Sequence, residues 1–111
     1  ELFNRYRSGV DFIQKYVFPG GMLPSPSRLR AEVEGAGLRW VDSIEFGQDY
    51  SKTLRMWRRT FESRWDEIER LASERPFDPR FRRLWNFYLT VCAACFLAGT
   101  TDVAQVALRR A

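Results

Sequence analysis

A single helix pattern governs how this chain can fold. Asp78-Pro79 reads as a helix start, because an Asp side chain accepts the first free N–H groups and Pro has no N–H to leave unsatisfied. The pattern predicts a helix over residues 79–98, stopped at Gly99. Its first turns are amphipathic, but from Phe87 onward the residues are apolar nearly all round. Such a helix has to be covered on most sides. A chain of 111 residues builds one small core, which leaves little to cover it. Nine Phe, four Trp and four Tyr sharpen the point: rings at this density imply a dense core or a surface made for a partner.

The remaining pattern predicts a mixed α/β segment. Leu2, Phe3 and Tyr6, then Phe12, Ile13, Tyr16 and Val17, suggest two short helical pieces broken near Ser8-Gly9. Three prolines within residues 19–26 forbid regular structure there. Ser27 is expected to cap a helix over 28–35, with Leu29, Val33 and Ala36 as its buried stripe. Residues 38–46 read as a strand with Leu38, Trp40, Ile44 and Phe46 on one face and an interruption at Asp42. Asp49 is the expected cap of a long helix running to about Ala72, in which Leu54, Trp57, Phe61, Trp65, Ile68 and Leu71 recur every three or four positions. Residues 102–110 read as a final strand. Two strands are marginal alone, so they are expected to form the edge of a larger sheet whose other strands precede Glu1.

Composition narrows the function classes. At 45% hydrophobic and 29% charged, the chain is globular rather than disordered. Its longest apolar run, 91–98, falls short of the ~18 residues that span a membrane. The first residues carry no signal-peptide pattern, and the expected location is the cytoplasm. Cys92 and Cys95 suggest half a zinc site or a redox pair, or two small core residues on a helix. The last reading is preferred, since there is no His and a zinc site needs about four ligands. No metal site is expected. Net charge is +4, and sixteen of the eighteen basic residues are Arg. That suits an anionic lipid, an acidic partner or nucleic acid, although no nucleic-acid motif accompanies it.

Four blocks carry a family resemblance. They are Phe12-Ile13-Gln14-Lys15-Tyr16-Val17-Phe18-Pro19-Gly20-Gly21-Met22-Leu23-Pro24-Ser25, Phe46-Gly47-Gln48-Asp49-Tyr50-Ser51-Lys52-Thr53-Leu54-Arg55-Met56-Trp57, Phe81-Arg82-Arg83-Leu84-Trp85-Asn86-Phe87-Tyr88-Leu89-Thr90-Val91-Cys92, and Asp102-Val103-Ala104-Gln105-Val106. In order and spacing they resemble the cyclopropane-fatty-acyl-phospholipid synthases and mycolic acid cyclopropane synthases. The resemblance implies the C-terminal part of a class I methyltransferase, a Rossmann-like fold in which the two strands here form an antiparallel edge hairpin. Residues 1–111 would be one segment, the C-terminal lobe of a larger domain whose N-terminal part is its partner.

The resemblance also implies a chemistry. S-adenosylmethionine (SAM) supplies a methylene unit to the cis double bond of phospholipid acyl chains at the membrane surface, with the enzyme peripheral to the inner membrane. Bicarbonate is the base, and Tyr50 belongs to the cluster that holds it. A Tyr packed at a strand–helix corner is the plain alternative. Phe18, Leu23, Leu54, Tyr88, Cys92 and Phe96 would line the acyl tunnel, although each also reads as ordinary core. Residues 93–96, Ala-Ala-Cys-Phe, stand where many relatives carry an acidic residue and Ala-Gly-Phe, a difference that bears on tunnel width. There is no Gly-rich cofactor loop, and the family's Glu and His are absent. The segment alone is therefore expected to bind no SAM and to be inactive. Methylation without ring closure and a non-catalytic lipid-binding module are the alternative functions. The Arg faces, Arg55/Arg58/Arg59 and Arg80/Arg82/Arg83, are solvated or touch headgroups.

Overall fold

Helix boundaries follow the capping chemistry. The structure, a computed structural model, describes residues 11–71, 74 and 77–111. The expected helical piece at Leu2, Phe3 and Tyr6 and the position of Ala72 lie outside these residues. Asp11 opens α1, Phe12–Tyr16, through a capping box: Gln14 N–H donates to the Asp11 carboxylate at 2.8 Å, and Asp11 N–H donates to Gln14 Oε1 at 3.0 Å. Helix α2, Pro26–Gly35, starts two residues earlier than expected. Ser25, not Ser27, is the cap and accepts from Arg28 N–H at 3.3 Å, because Pro26 is preset for the first helical position. No residue of α2 is buried, and Leu29 of the expected stripe is 40% exposed. Ion pairs Arg28–Glu32 and Arg30–Glu34 line its surface instead.

Strand β1, Leu38–Glu45, pairs with β2, Ala104–Arg110, as an antiparallel two-stranded sheet. The alternation seen at Leu38 and Trp40 does not continue to Ile44, which is 62% exposed. The phase changes at Asp42, whose carboxylate accepts from Ser43 N–H at 2.8 Å.

The chain divides into two compact units. One runs to Ile44 and resumes at Gln105, and the other is Glu45–Ala104. The second consists of α3, Gly47–Ser63, the short α4, Trp65–Glu69, and α5, Pro79–Ala98. The single long helix expected to run to about Ala72 is thus broken at Arg64, where Trp65 turns inward to 5% exposure. Apolar spacing runs straight through the bend, so periodicity alone does not mark it. Helix α5 has the expected ends: Asp78 accepts from Phe81 N–H at 2.9 Å, and Gly99 closes it at φ 75°, a left-handed conformation that favours glycine.

Helices α3 and α5 pack against each other around Leu54, Leu89 and Ala93. Burying each Leu contributes ~2 kcal/mol. A second, aromatic cluster joins Phe61, Trp65 and Phe81, with Trp65 and Phe81 stacked at 6.5 Å. Among the described residues, no helix is long and apolar enough to cross a membrane.

Candidate functional site

Tyr50 sits one turn inside α3, and its position follows from how that helix begins. Asp49 was the expected cap, but the helix starts three residues earlier, after Phe46. Phe46 N–H donates to Val103 C=O at 2.9 Å, and Gly47 N–H donates to the Asp102 carboxylate at 2.9 Å. The cap therefore comes from a residue 55 positions away. Gly47 has to be glycine, because a Cβ there would collide with the Asp102 carboxylate and lie 3.3 Å from the Phe96 ring. Beside it, Gln48 Nε2 donates to Phe96 and Leu97 C=O at 3.0 and 3.2 Å. One side chain thus satisfies two terminal carbonyls of α5. The start of α3 and the end of α5 are held together, with the Tyr50 and Phe96 rings 5.1 Å apart, edge to face.

Deeper in the pair, Ser51 is 1% exposed and its hydroxyl donates to Ala93 C=O at 2.8 Å. Small residues on both helices let the backbones approach here. Leu54 lies one turn below Tyr50, and Tyr88, Cys92 and Phe96 succeed one another along α5. Tyr50, Tyr88, Cys92 and Phe96 all pack against Leu54, Leu89 and Ala93. Burial, above all, pushes the Tyr88 phenol upward from its usual value, and its hydrogen bond with Cys92 and the Tyr50 phenol push the same way. Two phenols and a thiol thus stand among apolar walls.

Five of the seven residues singled out in the sequence, Tyr50, Leu54, Tyr88, Cys92 and Phe96, are brought together in one cluster of the second unit. Phe18 and Leu23 belong to the other unit and are 51% and 58% exposed. Cys92 and Cys95 are thiols, each partly buried on α5. Trp57, expected in the buried stripe, is 50% exposed and meets the Tyr50 ring at 5.8 Å.

The helix start is less suited to an anion than its dipole suggests, because the Asp102 carboxylate already accepts from Gly47 N–H. A hollow of about 210 Å³ at this end is lined by Phe46, Phe96 and three carboxylates, Glu45, Asp49 and Asp102, among others.

Sequence reasoning missed a polar bridge farther along the same helix pair. Arg82 donates to both Glu62 oxygens at 3.1 and 2.6 Å, Asn86 Nδ2 donates to Glu62, and Arg58 Nε donates to Asn86 Oδ1 at 3.0 Å. The Arg82 guanidinium lies 5.4 Å from the Trp65 ring centroid. Hydrogen bonds from Arg82 and Asn86 hold the Glu62 carboxyl down to about 2. The sequence pattern places Glu62 on the outer face of its helix and leaves Arg58 and Arg82 solvated or headgroup-facing. The bridge spans two helices, so no local spacing betrays it.

The family model described as Mycolic acid cyclopropane synthetase matches residues 2–106. Tuberculostearic acid methyltransferase UfaA1 of Mycobacterium tuberculosis is 42% identical over 101 residues, covering 89% of this chain and 22% of that protein. Cyclopropane-fatty-acyl-phospholipid synthase of Escherichia coli K12 is 36% identical over 99 residues, covering 89% of this chain and 24% of that protein. Among solved structures, mycolic acid cyclopropane synthase CmaA1 complexed with SAH and CTAB superposes with a TM-score of 0.77 at 28% identity, over 98% of this chain and 35% of that one. The chain thus spans about a quarter of these curated relatives and about a third of that structure, and its fold corresponds to that portion of a SAM-dependent cyclopropane synthase. The chain belongs to the mycolic acid cyclopropane synthetase family.

Proposed function

We propose that this chain is part of a SAM-dependent methyltransferase that delivers a methylene unit to the cis double bond of phospholipid acyl chains. The observation that carries the reading is the cluster of Tyr50, Tyr88, Cys92 and Phe96 around Leu54, Leu89 and Ala93, in a chain 36% identical to a cyclopropane-fatty-acyl-phospholipid synthase. When bound, SAM supplies an electrophilic sulfonium methyl group, and residues outside this chain would hold it. The alkene would take up that methyl carbon as its bond to sulfur breaks and SAH departs, leaving positive charge on the acyl chain, and loss of a proton from the transferred carbon to a base would close the ring.

Within this chain, the apolar walls of Leu54 and Phe96 keep water from the developing cation. The rings of Tyr50, Tyr88 and Phe96 offer their negative faces to it. Because the Tyr88 phenol is pushed upward, it stays protonated and adds no charge to the path. The Tyr50 hydroxyl would donate to bicarbonate, which supplies the base. The acyl chain would run along Leu54, Tyr88, Cys92 and Phe96. The enzyme would work in the cytoplasm at the inner membrane.

The 42% identity to a tuberculostearic acid methyltransferase favours one second reading, methylation of an unsaturated acyl chain without ring closure. Incubating the full-length protein with SAM and unsaturated phospholipid separates the two. Both products gain the mass of one CH₂, but only cyclopropanation consumes the alkene and produces ring-methylene proton resonances. No mass gain on any unsaturated lipid would reject both.

A further inference from the structure

An open groove of about 220 Å³ runs between α3 and α5. Leu89, Ala93, Ala94 and Leu97 form its floor, and Arg55 and Arg58 stand at its rim. Arg59 joins those two in an adjoining hollow of about 340 Å³. All three arginines are exposed, and Leu97 is 59% exposed. The acidic residue beside them, Glu62, is taken by Arg82 and Asn86. Among the described residues, none of Arg55, Arg58 and Arg59 is in an ion pair, so the rim keeps its positive charge. Asn86 holds Arg58 in place through Nε, which leaves its terminal NH₂ groups uncommitted among the described residues.

A positive rim along an apolar floor complements a molecule that is anionic at one end and aliphatic just beyond it. The geometry points to this groove as a docking surface for the headgroup region of an anionic phospholipid in a membrane. The arginines take the phosphate, and Leu97 and Ala94 meet the first methylenes. Guanidinium suits the task because it binds phosphate oxygens in pairs. The inference rests on the phospholipid-substrate reading and adds the surface by which the bilayer is met.

The test is sedimentation of the full-length protein with vesicles of phosphatidylcholine containing graded phosphatidylglycerol, compared with the double variant R55Q/R59Q. Losing two charges at an anionic surface should weaken partition about 25-fold, with little change on pure phosphatidylcholine. The charge-matched control R109Q/R110Q should bind as the parent does. L97S should weaken partition in high salt as well as low. In turnover, R55Q/R59Q should raise the apparent KM for anionic vesicles and leave kcat unchanged. Unchanged partition in R55Q/R59Q, or equal loss in R109Q/R110Q, would overturn the proposal. So would charge-dependent binding of an acidic carrier protein with no vesicle binding. Charge-dependent vesicle binding without turnover of any lipid would leave the docking surface standing and reject the proposed reaction.

Discussion

Tyr50 and Phe96 meet edge to face at 5.1 Å, so the Tyr50 ring has a packing role as well as the hydroxyl role proposed for it. Tyr50→Phe separates the two. It keeps the ring contacts, and the melting temperature of the full-length protein should stay within a few degrees of the parent. Loss of a donor to a charged group corresponds to a roughly 10- to 100-fold fall in kcat/KM. A fall in activity matched by a comparable loss of stability would mean the residue only packs. Leu54 tests the opposite role. At 3% exposure in the α3–α5 core, Leu54→Ala should cost ~2–5 kcal/mol in a denaturant titration. Both residues were legible in the sequence through their spacing and family motif. Ser51 was not, because only the fold aims its hydroxyl at a carbonyl 42 positions away.

At the scale of elements, two features joining distant parts of the chain decide how α3 is set. Its first turn is capped by Asp102, so Asp102→Ala should cost ~1 kcal/mol and speed hydrogen exchange at the Gly47 amide. Gly47→Ala should be worse than its helix propensity suggests, since the added Cβ meets the same carboxylate. Farther along, the Glu62 bridge links α3 to α5 and makes stability depend on pH. Its carboxyl is lowered from 4.5 to about 2 in the folded state, so the native state releases this proton more readily than the unfolded chain. That contribution is fully present above about pH 4.5 and is lost as pH falls towards 2. The side chains are 35–40% exposed, which limits the bridge to ~1 kcal/mol. Thermal melts of Glu62→Gln and the parent should therefore differ at pH 7 and converge near pH 2. A gap that persists at the acid end would show that the carboxylate charge is not its source.

Over the molecule as a whole, apolar surface is incompletely covered. Met56, Trp57, Phe87 and Leu97 are each between 48% and 62% exposed. The 111-residue chain on its own should therefore bind a hydrophobic dye and unfold with a shallow denaturant slope. A steep, single, dye-silent transition would contradict this. The excess was visible in the sequence as a helix greasy on every side. Capping chemistry and apolar spacing, which act within a turn or two, determined α5 and its two ends, the strand positions, and which ring and thiol residues share a helix face. Tertiary structure alone decided where α3 begins, that it breaks at Arg64, and that Glu62 serves Arg82 rather than solvent. The physical reason is range: caps and periodicity act over a few residues, whereas Asp102 reaching Gly47 and Arg82 reaching Glu62 depend on how helices pack.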